Sequence, residues 1–169
     1  NILISLLSPT QGQLYIDDIL INHQNKLAWQ KNIAIVPQNV FLHDVSIAEN
    51  IAIGLEPKNI DLEKVKKFAK LAQINNFIEK TPNQYNEKVG EKGIRLSGGQ
   101  RQRIGIARAL YREAKVILFD EATNQLDDET ENLIMQSIKD FNSEITVVFI
   151  THRLSTLKYC DQIIDLDKF

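Results

Sequence analysis

The chain has 169 residues, 43% apolar and 25% charged, the make-up of a globular domain with a sizeable core. A formal net charge of −2 excludes a general electrostatic pull toward nucleic acid or an anionic membrane. The single cysteine, Cys160, excludes an internal disulfide and makes a reducing cytosolic setting the default. No apolar run approaches the roughly 20 residues of a membrane span.

Asn1 to Leu7 is apolar and helix-like but has no N-cap, and Ser8-Pro9 stops it. Leu14-Tyr15-Ile16 and Ile19-Leu20-Ile21 are strand-sized and flank Asp17-Asp18, a hairpin signal. A short helix is expected over Leu27–Lys31. Ile33–Val36 reads as a buried strand ended by Pro37, with Gln38 at its tip. Ser46 to Ile53 reads as helix, with Ser46 and Glu49 at capping-box spacing. Asp61–Ala72 is an amphipathic helix whose face holds Leu62, Val65, Ala69 and Ala72. The polar stretch from Thr81 to Gly93 reads as loop.

A helix follows from Gly98 to about Arg112, with Ile104, Ala107 and Tyr111 as its buried stripe. Arg101, Arg108 and Arg112 line up opposite, without interleaved aromatics, and read as a solvated face rather than a nucleic-acid surface. Then come a strand (Val116–Phe119), a helix (about Asp128–Phe141), a strand (Ile145–Ile150), a short helix near Ser155–Lys158 and a last strand (Gln162–Leu166). Strands alternating with helices predict a parallel α/β layer, into which the mostly helical residues 46–112 are inserted. Both ends look cut, as expected of a piece of a longer protein.

The chemistry concentrates at strand tips and one helix start. Ser97-Gly98-Gly99-Gln100 opens a helix with two glycines that expose backbone N–H groups to a phosphate; by itself Ser-x-x-Gln is also an ordinary capping box. Val116-Ile117-Leu118-Phe119 delivers Asp120-Glu121 to a strand's C-terminal end, where α/β proteins place ligands. Such a pair divides labour in triphosphate hydrolysis, the first carboxylate for Mg²⁺ and the second for the attacking water, although acidic residues at this point also simply complement a helix dipole. His152 and Gln38 sit at two further strand tips. A lone histidine or loop amide is usually structural, but four suitable polar groups on one edge point to a nucleoside triphosphatase. His23 and Cys160 have no partners at metal-ligand spacing, so no zinc site is expected.

At these residues the chain resembles the nucleotide-binding domain of ATP-binding-cassette (ABC) transporters over nearly its whole length. Gln38 matches the Q-loop, Leu96-Ser97-Gly98-Gly99-Gln100 the signature, Val116–Glu121 the Walker B strand and His152 the switch histidine. Val89-Gly90-Glu91-Lys92-Gly93 and Val36-Pro37-Gln38-Asn39-Val40-Phe41-Leu42 are similar to exporters. The resemblance implies a P-loop NTPase, RecA-like core (residues 1–45 and 113–169) with an N-terminal antiparallel piece and a helical subdomain (46–112). It implies Glu121 and His152 as catalytic residues, Gln38, Ser97, Gly98, Gly99, Gln100 and Asp127 as nucleotide-binding, and Asp120 with Gln38 at Mg²⁺. It implies ATP as substrate, a second such domain as head-to-tail partner, transmembrane domains, and a place at the cytoplasmic face of the membrane; no nucleic acid is expected. The alternatives are a soluble ABC ATPase acting in translation or on DNA, and a non-catalytic regulatory module. The chain lacks the Gly-x-x-x-x-Gly-Lys-[Ser/Thr] loop, so by itself it is expected to be inactive. Its D-loop reads Asn124-Gln125-Leu126-Asp127 where the family has Ser-Ala-Leu-Asp.

Overall fold

The computed structural model describes residues 1–141 and 144–168. Two strands, β1 (Tyr15–Ile16) and β2 (Ile19–Leu20), form the expected antiparallel hairpin. Asp17 and Asp18 both have positive φ (47° and 63°), the combination of a tight two-residue turn whose twist matches that of paired strands. Helix α1 (Lys26–Asn32) leads directly into β3 (Ile33–Val36).

Helix α2 (Ile47–Ile51) starts at Ser46 with both halves of the capping box formed, as its spacing predicts. Helices α3 (Leu62–Leu71) and α4 (Asn75–Ile78) follow; the stretch to Gly93 is loop with two single 3₁₀ turns, at Gln84–Asn86 and Glu91–Gly93. Helix α5 (Gly98–Tyr111) then packs against α2, α3 and β3. Strand β4 (Val116–Asp120), helix α6 (Asp128–Phe141) and strand β5 (Thr146–Ile150) complete a parallel sheet of order β3-β4-β5, with Val36 opposite Phe119 and Asp120 opposite Ile150.

At β3 and β4 the sheet buries one face in the main core and part of the other, where Ile35 stays exposed. Ala34, Val36, Ile117 and Phe119 enter the main core with Ile104, Ile106, Ala107 and Leu110 of α5 and Ile134 and Ile138 of α6. The alternate residues Ile33 and Leu118 face the other way, against Trp29 and Ile4. The parallel pairing of β3, β4 and β5 puts the C-terminal tips of all three strands on one edge. The architecture is α/β, a parallel sheet with flanking helices and a small antiparallel pair.

Four expectations need correction. Asn1–Leu7 is a set of irregular turns rather than a helix; it is too short to repay helix nucleation, and Ser5 lies in the left-handed region (φ 54°). Its carbonyls instead serve α1, with Trp29 Nε1 donating to Leu3 (2.6 Å) and Gln30 Nε2 to Ile4 (3.1 Å). Gln162–Leu166 is not a strand; among the described residues it pairs with no sheet edge, and Ile163 and Ile164 are exposed. The arginine row of α5 is fully solvated only at Arg112, which stays exposed. Arg108 is half-buried and donates to the carbonyl oxygens of Asn50 (2.8 Å) and Phe41 (3.0 Å), Arg101 donates to that of Leu96 (2.7 Å), and Arg112 to that of Gln30 (3.3 Å). Leu62 is also more exposed than its helical position suggests.

Candidate functional site at the strand tips

Three consecutive sheet positions converge on one carboxylate. Gln38, two residues beyond β3, donates from Nε2 to Glu121 Oε2 at 2.7 Å. His152, two residues beyond β5, places Nδ1 3.4 Å from Glu121 Oε1. Asn124 adds a second amide donor to Oε2 at 3.3 Å. The Glu121 side chain stays one-third exposed and that of His152 70% exposed, so the cluster opens to solvent and to any ligand.

The backbone at Glu121 is unusual. Its φ of 49° lies in the left-handed region, which costs a non-glycine residue of order 1–3 kcal/mol. The surroundings over-determine it: Glu121 N donates to Ile150 O at 2.9 Å, extending the β4–β5 ladder by one residue, while three side chains hold the carboxylate. Asp120, one residue earlier, still pairs within the sheet opposite Ile150. The twist between them is what lets adjacent carboxylates point differently. Asp120 ends β4 and Gln38 follows its neighbour β3, so each brings a hard oxygen donor to the same sheet edge. Among the described residues no group of three or more acidic, histidine or cysteine side chains gathers. One carboxylate and one amide suit Mg²⁺, which keeps several waters and relies on substrate phosphates.

Ser97 and Gln100 form their capping box: Gln100 N donates to Ser97 Oγ (3.2 Å) and Ser97 N to Gln100 Oε1 (2.8 Å). The structural reading of this motif is therefore satisfied, and the amides of Gly98 and Gly99 remain at a helix start. No hydrogen bond joins Ser97 to the Glu121 cluster within the described residues. Instead the loop after Glu121 covers the glycines. An added Cβ on Gly98 would sit 2.2 Å from Gln125 Oε1, and one on Gly99 would sit 3.1 Å from the Gln125 carbonyl oxygen. Asp127 caps α6, accepting from Thr130 N and Thr130 Oγ1 (both 2.8 Å). Those bonds, the backbone one foremost, hold its carboxyl below the usual range.

Helix α5 is also clamped to the Gln38 loop. Gln102, itself buried, donates to Pro37 O at 3.2 Å. Gly105 meets Val40 so closely that an added Cβ would lie 2.5 Å from Val40 Cγ2. Sequence reasoning missed the roles of Gln102 and Gly105, which depend on contacts distant in the chain, and that of Asn124, which reaches Glu121 three residues back.

The family model for ABC transporters matches residues 1–124. The chain belongs to the ABC transporter family. It is 46% identical over 162 residues to the leukotoxin export ATP-binding protein LtxB of Aggregatibacter actinomycetemcomitans, covering 95% of this chain and 22% of that one. It is 40% identical over 160 residues to the ATP-dependent lipid A-core flippase of Chromohalobacter salexigens, with 95% and 27% covered. Among solved structures it superposes on a bacterial Atm1-family ABC exporter with ATP bound at a TM-score of 0.85 and 38% identity, over 92% of this chain and 27% of that one. The relatives are exporters, and this ABC chain corresponds to their ATP-binding domain. It spans only about a quarter or less of their length. No helix among the described residues is long and apolar enough to cross a membrane.

Proposed function

We propose that this chain is the ATP-hydrolysing part of an exporter, which powers substrate movement across a membrane when two such domains close head to tail on ATP. The observation that carries the reading is the Glu121 carboxylate, held at 2.7 Å by Gln38 and 3.4 Å from His152 at three adjacent strand tips. A carboxylate so fixed, with its second oxygen facing an exposed imidazole, suits a general base.

In the proposed reaction Glu121 takes a proton from water as the water oxygen attacks the γ-phosphorus and the bond to ADP breaks. Gln38 and Asn124 orient the carboxylate by donating to Oε2, which directs Oε1 toward the water. His152 presents Nδ1 to Glu121 and keeps Nε2 available to the γ-phosphate. Ser97, Gly98, Gly99 and Gln100 at the start of α5 offer hydroxyl and amide donors at the positive end of a helix, and serve the nucleotide of the partner domain. Asp127 contributes at that same dimer face. Asp120 and Gln38 would hold Mg²⁺, which when bound neutralises phosphate charge. Without a P-loop lysine the 169-residue chain alone does not hydrolyse ATP. The exporter relatives support a transmembrane partner and a place at the cytoplasmic face of the membrane.

The test is phosphate release by the full-length protein in membranes or nanodiscs, with His152→Ala and Gln38→Ala variants. Each is expected to lower turnover about 10-fold or more while nucleotide still binds. Unchanged turnover in both would refute the assignment of this cluster.

A further inference from the structure

Immediately after His152, Arg153 turns back beneath the loop that follows Glu121. Its Nη1 donates to Thr123 O at 2.7 Å and lies 3.5 Å from Leu126 O, while Nη2 donates to Asp128 Oδ1 at 2.6 Å. Nη1 is also 3.4 Å from Glu131 Oε2. Glu131 is 1% exposed, and its other oxygen accepts from the buried Thr156 hydroxyl at 3.0 Å. The guanidinium thus sits on a fixed, buried carboxylate and reaches up to both ends of the turn Thr123–Leu126, which closes with Leu126 N donating to Thr123 O at 3.0 Å.

That turn carries two residues that meet the proposed catalytic machinery. Asn124 donates to Glu121 Oε2, and Gln125 lies against Gly98 and Gly99 at the start of α5. Only a planar fork with five donors satisfies two carbonyls and two carboxylates from one place; a lysine ammonium cannot span them. An apolar pair would fill the same buried volume at least as stably, because desolvating Arg153 and Glu131 offsets much of their attraction.

We propose that Arg153, seated on Glu131, is a positioning residue that ties the His152 turn to the loop Thr123–Leu126, and so sets Glu121 and the first turn of α5 in one rigid arrangement for hydrolysis. The proposal rests on Glu121 being the general base. Loss of the fork frees the loop, and with it Asn124 and Gln125, without touching nucleotide directly.

The experiment compares four variants of the full-length protein by kcat and KM for Mg·ATP and by thermal melting. Arg153→Met strands the Glu131 charge and is expected to melt lower. Arg153→Met combined with Glu131→Gln removes that charge and keeps the acceptor for Thr156. This double variant is expected to melt near wild type yet to turn over about 10-fold or more slowly with KM within about 3-fold, since small misplacements of reacting groups cost that much. Arg153→Lys is expected to be folded and slow as well. Turnover that recovers together with melting temperature in the double variant would overturn the proposal, leaving Arg153 a fold element only. Unfolding of all three variants, or wild-type kcat in Arg153→Met, would overturn it too. Glu121→Gln is the fourth variant: if it alone is inactive, the base assignment stands and only the role of Arg153 falls. If it turns over normally, the premise itself is wrong.

Discussion

Replacing Gly105 by alanine measures how tightly α5 is pressed on the Gln38 loop. Alanine in a helix interior is favoured over glycine by about 1 kcal/mol, so an uncrowded site would gain stability. Here the new Cβ would meet Val40 Cγ2 at 2.5 Å, Cγ1 at 3.0 Å and Cβ at 3.3 Å. Rotating Val40 merely exchanges one methyl for another, because its branch lies at Cβ. The helix and loop must separate instead, and overpacking of this kind costs about 1–3 kcal/mol. The net expectation is destabilisation by roughly 0–2 kcal/mol, or a few degrees in melting temperature, at about 2–4 °C per kcal/mol for a unit of this size. Val40 is two residues from Gln38, so the shift also draws the amide away from Glu121, and ATP turnover should fall about 10-fold or more. The assay is thermal melting and phosphate release for Gly105→Ala, Val40→Ala and the double variant in the full-length protein. The double variant should recover most of the turnover, because the two methyl contacts are gone and only the 3.3 Å contact with the Cβ at position 40 remains. A Gly105→Ala protein that is more stable and fully active would refute the close-approach argument.

Arg108→Met should destabilise by about 2–3 kcal/mol, read by denaturant titration, because the Asn50 and Phe41 carbonyls lose a charged donor in a half-buried site. Ser97→Arg should abolish hydrolysis while a nucleotide-binding assay on the open monomer stays unchanged; equal loss of both would mean that the signature acts within its own chain. The Asp127 carboxyl is held below its usual range, so its contribution to stability is full above the unfolded value near 3.9 and is lost as pH falls through the folded value. Stability curves of wild type and Asp127→Asn should therefore converge toward low pH and separate above about pH 4, as equilibrium unfolding across pH would show.

Local signals carried most of the fold. The capping boxes at Ser46 and Ser97, the Asp17-Asp18 turn and the apolar runs at β3, β4 and β5 act within a few residues, and each appears where the sequence predicts. Failures arose where a segment's state is set from far away. Asn1–Leu7 gives its carbonyls to α1, and Gln162–Leu166 pairs with no strand among the described residues. The arginines of α5 repeat at helical spacing like a wet face, yet the long side chains of Arg108 and Arg112 reach backbone carbonyls of Asn50 in α2, Phe41 in the loop after β3 and Gln30 in α1. Gln38, Glu121 and His152 were legible as strand-tip residues, and the parallel register explains why they meet. The left-handed Glu121, the Asn124 amide and the Arg153–Glu131 pair were not. Neither composition nor period encodes the turn that brings Asn124 back onto Glu121 three residues earlier, or the meeting of Arg153 with Glu131 22 residues away.

The central claim is that Glu121 is the base and that binding and hydrolysis are separable at this site. The direct measurement is single-turnover phosphate release, with nucleotide binding measured in parallel, for the full-length protein and its Glu121→Gln variant. Glutamine keeps the shape and the contact with Gln38 but loses the basicity. The account predicts ATP binding at wild-type affinity, accumulation of an ATP-bound closed dimer, and release slowed by about 10²-fold or more. Hydrolysis at near wild-type rate by Glu121→Gln would contradict it.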